Sequence, residues 1–144
     1  MGGGPVSQVP ELVELRIPLR WADTDGLGHV WHGVHVSLIE EARTRWLDAL
    51  RAPGTGLWDH AVVRIEVDYA GELRYADAAA VVTCRGTGFG TRSVRTHEHV
   101  RTPSGALVAE ARSVVVAWEP AMHAARALTE HERALLAVRC AHAD

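Results

Sequence analysis

Residues 13–49 read VELRIPLRWADTDGLGHVWHGVHVSLIEEARTRWLDA, and within this stretch the hydrophobic period changes once. Over residues 13–21 the odd positions are apolar (Val13, Leu15, Ile17, Leu19, Trp21), and the even ones are polar or proline (Glu14, Arg16, Pro18, Arg20). Period two marks a strand with one buried face, and Pro18, which has no N–H for a ladder, suits an edge or a bulge. Residues 23–28 are polar and punctuated by glycine, which makes them a loop. Beyond them Val34, Leu38, Ile39, Ala42, Trp46 and Ala49 fall on one helical stripe, with Glu41 and Arg45 as an i,i+4 pair beside it. The spacing predicts a helix over residues 33–50, stopped by Pro53-Gly54.

Working outward, period two returns and stays. Val63, Ile65, Val67 and Tyr69 alternate with Arg64, Glu66 and Asp68, a strand with one wet face. Residues 79–85 are apolar on both faces, as a central strand would be. Residues 93–101 alternate again, and Pro103-Ser104-Gly105 turns them into a last long strand over 107–118. The capping box formed by Thr129 and Glu132 opens a short terminal helix. One amphipathic helix cannot cover both faces of a five-stranded antiparallel sheet, but the sheet can curl around it. The expectation is an α+β chain of hotdog architecture: a curved five-stranded antiparallel sheet wrapped around one long central helix. Its exposed edge and outer face call for a second subunit, so a homodimer or homotetramer is expected.

The chain has 144 residues, one domain's worth, with residues 1–10 as a flexible leader and 11–140 as the folded unit. That is too short for a TIM barrel, and no G-x-S-x-G nucleophile elbow occurs. A net charge of −3 argues against a nucleic-acid partner, and all fifteen basic residues are arginine. The longest purely apolar stretch, residues 114–118, falls far short of a membrane span, so no membrane partner is expected. Cys84 and Cys140 lie far apart without a C-x-x-C motif, which suits reduced thiols in a cytoplasmic protein.

Residues 23–33 hold the densest cluster of reactive side chains: Asp23, Asp25, His29 and His32, on a loop entering a helix N-terminus. Unpaired N–H groups and the positive dipole end there favour negative charge developing on a substrate oxygen. A neighbouring carboxylate, ionised at neutral pH, can attack a carbonyl or activate water. Aspartates in glycine-rich loops also make turns and helix caps, so the residue types leave both roles open.

Arg20-Trp21-Ala22-Asp23-Thr24-Asp25-Gly26-Leu27-Gly28-His29-Val30 resembles the motif of the 4-hydroxybenzoyl-CoA thioesterase family of hotdog proteins. Glu40-Glu41-Ala42-Arg43 resembles that family's E-x-A-R segment. Val67-Asp68-Tyr69, Arg74-Tyr75-Ala76-Asp77 and the final Val114-Val115-Val116-Ala117-Trp118 are similar to its later strands. The resemblance implies hydrolysis of acyl-CoA thioesters, with Asp25 as nucleophile or general base and Asp23 as its structural support. It places His32 on the thioester and the backbone N–H of Gly33 or Val34 on the carbonyl oxygen. His35 stands where an early-helix tyrosine is common. The acyl chain is expected to run past Trp31, Leu38 and Trp58, and the CoA phosphates to meet arginine, with Arg85 and Arg92 foremost and Arg95 and Arg101 behind them. A non-catalytic acyl-binding hotdog and a thioesterase acting on acyl-carrier-protein substrates are the alternatives.

Other signals are weaker. His29, His32 and His35 would not converge if the helix begins near residue 33, so no metal and no cofactor are expected. His97 and His99 share a strand face and read as surface. Glu40 is a second-choice carboxylate on a solvated helix face. Residues 86–90, rich in glycine, read as a bulged hairpin rather than a phosphate loop.

Overall fold

The alternating stretches become strands and the single helical stripe becomes the central helix in the computed structural model, which describes residues 12–51 and 56–140. The expected leader and the Pro53-Gly54 stop lie outside the described residues. In chain order the elements are β1 (Leu12–Pro18), α1 (His32–Leu47), β2 (His60–Tyr69), β3 (Ala79–Phe89), β4 (Ser93–Arg101), β5 (Leu107–Glu119), β6 (Ala124–Ala125) and α2 (Glu130–Arg139). The strands pair antiparallel in the order β1-β3-β4-β5-β2, and the two-residue β6 adds to β5. The curved sheet and its helix make an α+β hotdog fold. Among the described residues no helix is long and apolar enough to cross a membrane.

Three expectations change. The first strand stops at Pro18, at the sheet edge, because Asp23 folds the chain back into a short 3-10 turn at Trp21–Asp23. Its carboxylate accepts from the Arg20 backbone N–H at 2.8 Å and from the Arg20 guanidinium at 2.8 and 3.2 Å, which leaves Trp21 76% exposed. The central helix is shorter than expected: 16 residues, continued only by a 3-10 turn over Asp48–Leu50. The strand β6 was not legible, since two alanines after a left-handed His123 carry no periodic signal.

α1 packs on β1, β3 and β4 through Leu38, Ile39, Ala42, Trp46 and Leu47. Gly86 decides how closely it can approach. A Cβ there would run into the Trp46 ring, so the glycine lets the indole rest directly on β3, with the Arg139 guanidinium of α2 at 3.8 Å from the ring centroid. The chain then shifts register between Gly86 and Gly88, the expected bulge.

The apolar stripe also carries a charge. Arg43 and Glu98, both almost wholly inaccessible, meet between α1 and β4 at 3.7 Å. Arg43 donates to Ser113 Oγ at 3.2 Å, while Thr96 and Ser113 donate to the two Glu98 oxygens at 2.6 and 3.1 Å. Burial pushes the Glu98 carboxyl above its ordinary value, against these hydrogen bonds and the guanidinium. A buried ion pair loses most when one partner is removed. Arg43→Met should therefore cost about 3 kcal/mol in urea unfolding at pH 7. The deficit should shrink towards pH 5 as the stranded Glu98 takes up a proton, and Arg43→Met with Glu98→Gln should recover part of it.

Candidate active site

The loop between β1 and α1 is a small hairpin tied at both ends. Thr24 and Val30 form a bridge, the Asp25 N–H donates to the His29 carbonyl at 2.7 Å, and the Gly28 N–H donates to the Asp25 carbonyl at 3.2 Å. Closing so tight a turn puts residue 28 at φ +81°, where glycine alone is unstrained. Val30 N–H reaches the Leu73 carbonyl at 2.7 Å, and His29 Nε2 reaches Glu72 at 3.1 Å, so the segment after β2 braces the loop.

The two oxygens of Asp25 differ within this hairpin. Oδ1 accepts from the N–H groups of Leu27 (2.8 Å) and His29 (3.1 Å), while Oδ2 takes no hydrogen bond among the described residues. The Leu27 amide, aided by that of His29, holds the carboxyl below its ordinary value, so it is ionised at neutral pH. Asp23, by contrast, is buried and committed to Arg20.

The first turn of α1 opens beside the loop. No side chain caps it. The Val34 N–H is already engaged by the Trp31 carbonyl at 3.0 Å. Of the two expected oxyanion donors, only Gly33 keeps an amide without a partner among the described residues, together with His32. The Trp31 ring lies across Gly33. From β2, the Tyr69 hydroxyl donates to the His32 carbonyl at 2.7 Å and clamps this turn to the sheet.

Asp25, Trp31, His32, His35 and Tyr69 line one cleft of about 270 Å³, with Glu72 and Leu73 at its far wall. His35 is the surprise. It is only 3% exposed, neither ring nitrogen makes a hydrogen bond, and its ring meets that of Tyr69 edge-on at 5.2 Å. Burial lowers its pKa, which keeps the imidazole neutral at pH 7. His35 and Tyr69 were not singled out as site residues. The one available signal was a histidine where the motif favours tyrosine.

Other expected residues lie elsewhere in the chain. Leu38 is buried in the core one helical turn beyond His35. Trp58 does not join the Asp25 cleft: its indole N–H donates to Glu132 at 2.5 Å, in a separate cleft lined by Trp118, Arg126 and Thr129. Glu40 lies in another shallow cleft, with Ser37, Glu41 and Arg45. Arg85 and Arg95 line a 340 Å³ cleft on the outer face of the sheet together with Arg64 and Arg112. Arg92, exposed in the β3–β4 turn, is not among that cleft's residues, and Arg101 also lies outside it. The outer cleft shares no residue with that of Asp25. His29, His32 and His35 do not converge; the donors that do, among the described residues, are His97, His99 and Glu110. These are half-buried rather than freely exposed.

An ionised carboxylate with one open oxygen, beside an uncapped helix N-terminus in a hotdog frame, has the chemistry to attack a carbonyl or to activate water. The model of the thioesterase-like superfamily matches residues 19–119, and the chain belongs to that superfamily. A thioesterase from Thermus thermophilus, crystallised with coenzyme A and zinc, is 27% identical, with a TM-score of 0.78 over 94% of this chain and 98% of that one. A predicted thioesterase from Bacillus stearothermophilus (24% identity, TM-score 0.77, 89% and 96% covered) shares the fold. So does a DHNA-CoA thioesterase from Staphylococcus aureus (17%, 0.70, 81% and 80%). No curated protein matches the chain by sequence.

Glu132 shows why Trp58 went elsewhere. Burial alone would raise its pKa. The Arg126 guanidinium, the Thr129 N–H and the Trp58 indole outweigh that and bring it to about 2. A pKa lowered by folding stabilises the protein above the ordinary carboxylate range, and that stabilisation is lost as pH falls from 4.5 towards 2. Glu132→Gln should cost about 2–3 kcal/mol at pH 7 and clearly less at pH 3, read from thermal unfolding at the two pH values.

Proposed function

We propose that the chain hydrolyses acyl-CoA thioesters to the free acid and CoA. The observation that carries this reading is the Asp25 carboxylate, fixed through Oδ1 and open at Oδ2, in a cleft that adjoins the first turn of α1. Oδ2 attacks the thioester carbonyl, or takes a proton from the water that does. The oxyanion that forms is stabilised by the Gly33 N–H at the positive end of the helix. Collapse of the tetrahedral species breaks the C–S bond and releases the CoA thiolate. If Asp25 was the nucleophile, water then cleaves the acyl-aspartyl anhydride. His32, on the same cleft, orients the thioester, and Trp31 flanks the acyl chain. Arg85 and its neighbours Arg95, Arg64 and Arg112 form a guanidinium cluster suited to nucleotide phosphates, with Arg92 as the outlying candidate.

The exposed Val62 and Val63 on edge strand β2 support a homodimer or homotetramer, since an unpaired apolar edge is ordinarily covered. Free Cys84 and Cys140 suit a reducing cytoplasm.

Thiol release from a panel of acyl-CoAs tests the reading, with Asp25→Asn and Asp25→Ala beside the wild type. Asparagine still offers an oxygen to the Leu27 and His29 amides but has no charge, so it should keep the melting temperature while lowering kcat/KM about 10²–10⁴-fold. Alanine should lose both. Because the Leu27 and His29 amides hold Asp25 below its ordinary value, the acid limb of wild-type kcat/KM set by this group should fall at lower pH than for an ordinary aspartate. Undiminished hydrolysis by Asp25→Asn would return Asp25 to a turn residue.

A further inference from the structure

We propose that His97, His99 and Glu110 form a binding site for a divalent transition-metal ion of the zinc class on the outer face of the sheet, apart from the Asp25 cleft. The site follows from strand geometry. Residues two apart on a strand share a face, so β4 presents His97 and His99 together. Antiparallel register sets Glu110 of β5 directly opposite His99, two residues along from the pairing of His97 with Arg112. The donors therefore rise from two neighbouring strands in the interior of the sheet, where ladders on both sides fix the backbone.

Their donor atoms all lie within 4.8 Å of one another. His97 Nε2 is 2.7 Å from Glu110 Oε1, and the two imidazole rings stand 4.5 Å apart. Around a tetrahedral zinc with bonds of about 2.1 Å, donor atoms sit roughly 3.4 Å apart. Small side-chain rotations that open the His97–Glu110 contact and draw in His99 reach that spacing. Two imidazoles and one carboxylate match the His₂Glu set that keeps a fourth position open, and nitrogen donors favour zinc over magnesium or calcium.

The neighbours shape the affinity. Arg112 donates to Glu110 Oε1 at 3.0 Å and holds the carboxylate against the imidazoles, as an outer partner of a metal ligand does. Arg85, paired with His97 across β3–β4, and Arg101, two residues beyond His99, add positive charge that opposes a cation. These arginines set the affinity in the micromolar rather than the nanomolar range, and they favour an anion at the open position.

The test uses the whole chain, stripped with a chelator and titrated with zinc chloride by calorimetry, with cobalt(II) as a spectroscopic substitute. The wild type should bind one ion per chain with a Kd of about 1–10 μM, and cobalt should give the intense visible bands of a tetrahedral site. His97→Ala and His99→Ala should each weaken binding at least about 10-fold and abolish those bands, and Glu110→Gln should weaken it about 10–100-fold. If an alanine variant does not fold, His99→Gln, which keeps a polar side chain on that face, replaces it. No binding tighter than about 1 mM, or affinity unchanged in these variants, overturns the proposal. Thioester hydrolysis is not the readout, so this result and the Asp25 result are independent.

Discussion

One helix and one sheet face is the constraint on which this molecule is built. α1 is the sole element long enough to cover a sheet among the described residues, so β1, β3, β4 and β5 turn their alternating apolar residues towards it and curl. Trp46 can lie at the centre of that contact only because residue 86 has no side chain. What the helix cannot cover must be polar or paired elsewhere. The outer face accordingly carries Arg64, Glu66, Arg85, Arg95, His97, Glu110 and Arg112, while the opposite face of β3, β4 and β5 is buried.

The same constraint separates the chemistry into three places. Under the helix, Arg43 and Glu98 pair with each other and with two hydroxyls, both side chains almost wholly buried. On the rim, where the chain climbs from β1 to the start of α1, backbone amides lack partners because a helix always begins with donors to spare. Asp25 is held against that rim by a hairpin whose other wall comes from the segment after β2. The outer face holds groups that only strand register brings together.

Much of this was legible in the sequence because it rests on period. β4 begins and ends where alternation predicted, and the capping box at Thr129 and Glu132 is formed. Period reports only whether a position is apolar, which is why it found Val34 and Leu38 but not the buried polar His35 and Arg43 on the same helix. A buried polar residue is stabilised by partners far along the chain: Ser113 lies 70 residues from Arg43, and Glu132 lies 74 from Trp58. No local reading reaches that distance. The turn around Asp25 was legible because its signal is local, a short polar, glycine-punctuated stretch running into a helix. The His97, His99 and Glu110 cluster was missed because the third donor sits on another strand.

The hairpin around Asp25 also bears on how descent would be read in this superfamily. Selection for folding alone favours an oxygen acceptor at residue 25, since two amides of a tight turn depend on it. A lineage that had abandoned hydrolysis would feel that pressure undiminished, and asparagine would meet it as well as aspartate. The survival of a polar residue here therefore says little about activity. Under the proposed mechanism the informative event is the loss of the charge while the acceptor remains: drift from aspartate to asparagine at this position would then mark the branches where only the architecture is still being maintained.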